Sequence, residues 1–89
     1  MKIKLELFGA SRDFSEKNHL ELEIQDKASV DDLRNEIIKY LDKNFKGNKS
    51  FINIAKSSAF CSENNEIISD DYKITKDQKI GIIPPIGGG

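Results

Sequence analysis

Ile80-Gly81-Ile82-Ile83-Pro84-Pro85-Ile86-Gly87-Gly88-Gly89 ends the sequence, and its reading decides the fold. The run up to Ile83 is apolar enough for a buried strand. The strand must stop at Pro84 and Pro85, because proline has no N–H for the sheet ladder and fixes φ. Gly87, Gly88 and Gly89 carry no side chain to pack and lose much entropy if ordered, so they add nothing to a core. The expected division is a folded domain over residues 1–83 and a flexible arm over residues 84–89. A thin backbone ending in a free carboxylate suits an end that enters another protein.

Working back from the arm, the last strand needs a partner, and the N-terminus offers one. Residues 2–8 alternate, with Ile3, Leu5 and Leu7 on one face and Lys2, Lys4 and Glu6 on the other. Phe8 breaks the pattern and falls on the lysine face. Residues 9–18 have loop composition with room for one helical turn. His19 to Ile24 alternates again, turning Leu20, Leu22 and Ile24 inward, so the two segments read as an antiparallel hairpin with a long connection. Ser29 to Asp32 gives S-x-x-D, a capping-box-like start to a helix. Val30, Leu33, Ile37 and Tyr40 or Leu41 then follow helical spacing. Asp31 and Asp32 lie at the positive end of the helix dipole, Lys39, Lys43 and Lys46 lie at the negative end, and Gly47 is the stop.

Phe51-Ile52-Asn53-Ile54-Ala55 reads as a third strand, Lys56-Ser57-Ser58 as a turn, and Ala59-Phe60-Cys61 as a short fourth strand. Ile67, Ile68 and Tyr72 are expected to anchor an irregular connection around Asp70-Asp71. The last strand is expected over Lys79–Ile83, after a turn at Thr75–Gln78. One amphipathic helix needs one apolar sheet face, which gives an α+β domain of two layers. A ubiquitin-like β-grasp has this order, with a mixed sheet of four to five strands packed on one main helix. Its last strand runs beside and parallel to its first. That arrangement turns Ile80 and Ile82 toward the helix and puts Phe8 and Ile83 together on the outer face, where the arm leaves. Grouped exposed apolar residues mark a contact surface.

The composition narrows the function by exclusion. Fourteen basic and fifteen acidic residues are interleaved along 89 positions, so no basic stripe invites nucleic acid. No apolar run approaches the ~20 residues that span a bilayer, and the N-terminal alternation is not that of a signal peptide. One cysteine, Cys61, fits a reducing cytoplasm. One histidine, His19, and one cysteine give no metal-ligand spacing and no thiol–imidazole pair, so Cys61 reads as packing and His19 as a surface residue. Gly87-Gly88-Gly89 is followed by no helix and is no phosphate loop. The carboxylate of Gly89 remains. It is ionised at neutral pH and is a poor acyl donor, so it must first be activated, for instance as an acyl-adenylate formed by a separate ATP-using enzyme. Extended, residues 84–89 reach about 20 Å, enough to cross a neighbouring enzyme's wall, and Pro84-Pro85 stiffens the base of that arm.

Ile82-Ile83-Pro84-Pro85-Ile86-Gly87-Gly88-Gly89 resembles the terminus of MoaD, the small subunit of molybdopterin synthase, within the MoaD/ThiS group of sulfur carriers. Leu5-Glu6-Leu7-Phe8-Gly9-Ala10-Ser11-Arg12 is similar to that family's first strand and the turn after it. The resemblance covers nearly the whole chain. It implies a non-catalytic, sulfur-donating subunit that binds no cofactor itself. Gly89 would be adenylated by a MoeB-like activating enzyme using ATP and converted to a thiocarboxylate. It would then enter a MoaE-like large subunit that passes its sulfur to a pterin precursor for the molybdenum (or tungsten) cofactor. Phe8 and Ile83, with Arg12 and Phe60, make the expected partner-contact set, and Pro84, Pro85, Ile86, Gly87 and Gly88 form the arm. Neither nucleic acid nor membrane is an expected partner. Two other readings share the domain: a ubiquitin-like modifier of the archaeal kind, joined through Gly89 to target lysines, and an interaction module whose tail is idle.

Overall fold

The computed structural model describes residues 1–85. It contains β1 (Lys2–Leu7), a 3₁₀ helix (Gly9–Phe14), β2 (His19–Glu23), α1 (Val30–Asn44), α2 (Lys49–Ser57), β3 (Ala59–Cys61), β4 (Ile67–Ile68) and β5 (Gln78–Ile83). The strands form one mixed sheet in the order β2-β1-β5-β3-β4. Within it β1 pairs parallel to β5, with Leu5 beside Ile80 and Leu7 beside Ile82. The β1–β2, β3–β5 and β3–β4 pairs are antiparallel. This is the β-grasp arrangement, an α+β fold in two layers.

The alternation read in β1 does what a period of two dictates. Ile3, Leu5 and Leu7 are buried, and so are Ile80 and Ile82 beside them. From the other layer Val30, Leu33, Ile37 and Leu41 come down onto this face, with Phe14, Phe60 and Ile74 filling the margins. Both halves of the capping box at the start of α1 are formed. The Asp32 N–H donates to Ser29 Oγ at 3.1 Å, and the Ser29 N–H donates to Asp32 Oδ2 at 2.9 Å. At the other end the Gly47 N–H closes on the Asp42 carbonyl, with Gly47 at φ 71°, the left-handed stop that glycine permits.

Two segments differ from the expectation. Residues 51–55 are not a strand but the middle of α2, so Lys56 and Ser57 are helical and not a turn. A five-residue apolar run does not reveal its own period, and two isoleucines bias it toward strand. Two features overrule that bias. The Asn48 side chain accepts from the Phe51 N–H and caps a helix. Helical winding also brings Phe51 into an aromatic group, 5.3 Å from Phe14 and 4.9 Å from Phe45 between ring centroids. The main helix therefore has a smaller companion.

Arg34 of α1 fixes where α2 ends. Its Nη1 donates to the carbonyls of Ala55, Lys56 and Ser58, and its Nη2 meets Asp70 at 2.7 Å. The guanidinium carbon also lies 4.9 Å from the centroid of the Phe60 ring. These carbonyls are the unsatisfied groups of a helix C-terminus, and a cation placed among them offsets both their loss of water and the dipole. The Ile67–Tyr72 segment is likewise more regular than expected. Ile67 and Ile68 form β4, and of the three expected anchors only Ile68 packs on the core, while Ile67 and Tyr72 are exposed.

Ser29→Ala should destabilise the domain by about 1 kcal/mol in urea titrations. It should also change the acid limb of stability. The backbone and then the hydroxyl of Ser29 hold the Asp32 carboxyl below the ordinary aspartate range. That contribution is present above the unfolded value and is lost as pH falls through the folded one. The variant should therefore lose less stability than the parent between about pH 4 and the lower folded value. Arg34→Met should cost about 2–3 kcal/mol, since three carbonyls are left with no cation, and Arg34→Lys should recover only part of it.

Candidate functional site

The parallel pairing of β1 with β5 sets the site. Both strands point the same way, so Phe8, just past β1, and Pro84, just past β5, emerge at the same edge of the sheet. The chain turns away after Phe8 through Gly9, whose φ of 54° is the left-handed conformation glycine allows. Ser11, fully buried in the 3₁₀ helix, donates from Oγ to the Phe8 carbonyl at 2.6 Å and secures that turn. Pro84 is buried beside Gly9, where an added methyl group would sit 4.0 Å from Pro84 Cγ, and Pro85 is exposed. The chain just past β5 is thus packed against the fold through Pro84.

Phe8 is 40% exposed on the outer face of the sheet, as its broken alternation predicts. Ile83, the last residue of β5, is half-buried opposite Ala59. Two residues back along β5 is Gly81, paired with Glu6 on one side and Cys61 on the other. A methyl group at Gly81 would come within 2.8 Å of Phe8 Cε2 and 2.7 Å of Cys61 Sγ. Phe8 and Cys61 therefore both close over the bare backbone of Gly81. Cys61 is only 7% exposed although it faces outward, and it packs as expected. Across from it in β4, Ile67 is 67% exposed. The outer face is apolar from Phe8 through Cys61 to Ile67, and it is charged where Lys79 of β5 meets Glu6 of β1, Nζ to Oε1 at 3.1 Å.

Arg12 is exposed and lines a shallow depression with Lys4, Glu6, Phe8, Asn18 and His19. It makes no ion pair among the described residues, so its charge is available at the rim of the apolar strip. His19 is half-buried there, 3.9 Å from Glu21, rather than standing free on the surface. Phe60 must be removed from the contact set. Its side chain is 1% exposed and lies in the core beneath Arg34, because residue 60 faces inward with Ile82 while its neighbours in β3 face out. Ile86, Gly87, Gly88 and Gly89 lie outside the described residues.

The carboxylates do structural work. Asp32 serves the cap of α1, Asp70 holds Arg34, and Asp71 accepts from Ser69. Among the described residues no three His, Cys, Asp or Glu side chains are grouped to hold a metal, and no helix is long and apolar enough to cross a membrane. Two residues of the outer face escaped the sequence reading. Gly81 had a usable signal, since a single glycine inside an apolar strand marks close approach of another group. Ile67 had none, because a two-residue strand has no period to show which neighbour faces out.

Comparison with known proteins supplies the family. The ThiS family model matches residues 5–89. The "Putative molybdopterin converting factor, subunit 1" of Pyrococcus furiosus has a similar structure, with a TM-score of 0.70. It is 24% identical over 96% of this chain and 98% of its own. SAMP1 of Haloferax volcanii is similar at a TM-score of 0.68, with 14% identity and all of both chains covered. A further structure, of H. volcanii small archaeal modifier protein 1, gives 0.67 and 12%, covering 96% of this chain and 98% of that one. At these identities the structural likeness is one of fold. No curated protein matches the chain. The family model, which spans all but the first four residues, carries the assignment: the chain belongs to the ThiS family of small β-grasp sulfur carriers.

Proposed function

We propose that this protein is the sulfur-carrying small subunit of a molybdopterin synthase, with residues 1–83 as the carrier domain and residues 84–89 as the arm that delivers Gly89. One observation carries the reading. The parallel β1–β5 pair brings the half-exposed Phe8 and the Ile83-Pro84-Pro85 exit to one edge of the sheet. A partner can therefore hold the domain and receive its end at the same time. Pro84-Pro85 followed by an apolar residue and glycines supports a molybdopterin carrier over a carrier for another acceptor. The proposed setting is the cytoplasm.

The chain's own part in the chemistry is to present. A MoeB-like enzyme would join the Gly89 carboxylate to the AMP moiety of ATP with loss of pyrophosphate. A sulfur donor would then displace AMP and leave a thiocarboxylate. In a MoaE-like large subunit that sulfur would pass to the pterin precursor. Each enzyme must exclude water from the activated carbon, and glycines at 87–89 allow a narrow channel to close around the backbone. Phe8 and Ile83 would give the apolar anchor of each complex, and Arg12 a charge at its rim that favours an acidic partner surface. The same adenylate also accepts a lysine amine, so the second reading, conjugation through Gly89, shares the first step and parts from it only at the acceptor.

With the adenylating enzyme of its own organism, ATP and a sulfur source, the protein should exchange one terminal oxygen for sulfur, read by intact mass. Deleting Gly89 or appending a residue after it should abolish the exchange. An unchanged mass for the parent protein would sink the proposal, and Gly89 found in isopeptide linkage to cellular lysines would favour the modifier instead. Phe8→Ala should keep the fold and weaken binding to the activating enzyme about tenfold in titration calorimetry.

A further inference from the structure

We infer that Gly81 is a positioning residue of the docking face, one that acts through Phe8 on the enzyme that activates the C-terminus. The inference rests on the carrier reading above. Gly81 stands in the middle of a strand at a position whose φ any residue adopts, so backbone conformation does not explain a glycine there. What explains it is space. The Phe8 ring and the Cys61 sulfur both occupy the place of its missing side chain, at 2.8 Å and 2.7 Å from where a methyl carbon would be. With glycine, the ring lies down on the strand and joins Cys61 and Ile67 in one low apolar strip. With any larger residue the ring has to rise, and its exposed edge stands where a partner surface must fit.

The reach of the arm identifies the occupant of this strip. Four residues separate Pro85 from the Gly89 carboxylate, a span of at most about 14 Å. An enzyme that closes over that carboxylate must therefore sit against the edge of the sheet where the strip begins. The Lys79–Glu6 pair lies further back, two residues before Gly81 along β5 and two before Phe8 along β1, away from that edge. Gly81 thus sets the height of the anchor that the enzyme reads and touches none of the reacting atoms.

The test measures thiocarboxylate formation by the organism's adenylating enzyme as a function of carrier concentration. The carriers are the parent, Gly81→Ala, Phe8→Ala and the double variant. Gly81→Ala should raise KM about tenfold and leave kcat within about twofold, because the complex is weakened and the arm is untouched. In the Phe8→Ala background the same substitution should change KM little, since no ring remains to be lifted. Amide spectra and the thermal midpoint check that each variant is folded. If Gly81→Ala unfolds the domain, the Gly81→Ala, Cys61→Ala double variant removes the sulfur contact and takes its place. An unchanged KM for the folded variant overturns the inference. So does an equal rise with and without Phe8, which would mean that the substitution acts through the strand. A parent protein that is never thiocarboxylated overturns the carrier reading instead.

Discussion

The pairing of β1 with β5 is the contact on which the rest depends. It joins Ile3 to Gln78 and Leu7 to Ile82, so almost the whole chain is enclosed between its two strands. Closing so long a loop costs entropy before any contact is made. Parallel neighbours also need a crossover that covers the sheet. Here the crossover contains every other element, and its helix α1 supplies Val30, Leu33, Ile37 and Leu41 to the face that β1 and β5 share. The burial of that face offsets the closure. The direction of the pair also brings Phe8 and Pro84 to one edge of the sheet, because two parallel strands finish together.

The sheet carries different chemistry on its two faces because the strands alternate. Inward residues make one continuous core. Outward residues are charged on β1, on β2 and at Lys79 near the start of β5, and small or apolar over the rest of β5, β3 and β4. Among the described residues Phe8 and Ile67 are two of the large apolar side chains left exposed. Gly81 and the covered thiol of Cys61 keep this half of the face low. Pro84, just past β5, is held at its margin against the turn at Gly9.

Arg34 shows how the second helix is accommodated without a second core. α2 has only Ala55 fully buried, and by itself nine residues would not hold a helix in water. Its C-terminal carbonyls are gathered by one guanidinium that also packs on Phe60 and pairs with Asp70. Three elements, α1, α2 and β3, and the turn at Asp70 are therefore tied at one point, and β3 is delivered to the edge of β5 in the register that sets Cys61 against Gly81.

By itself the sequence determined what depends on neighbours along the chain. Alternation in residues 2–7 and 19–23, the Ser29–Asp32 cap, the 3.6-residue spacing through Leu41 and the stop at the double proline are each written within a few positions. Phe8 was legible for the same reason, as a break in a local period. Only tertiary structure decided what depends on distant partners. The run at 51–55 has a local cap at Asn48, but its apolar face was settled by the distant Phe14 ring that receives Phe51. Phe60 went inside because three-residue β3 took its facing from Ile82 of β5. Gly81 acquired its meaning from a phenylalanine 73 positions away, since a missing side chain counts for something only when another group comes to fill the space.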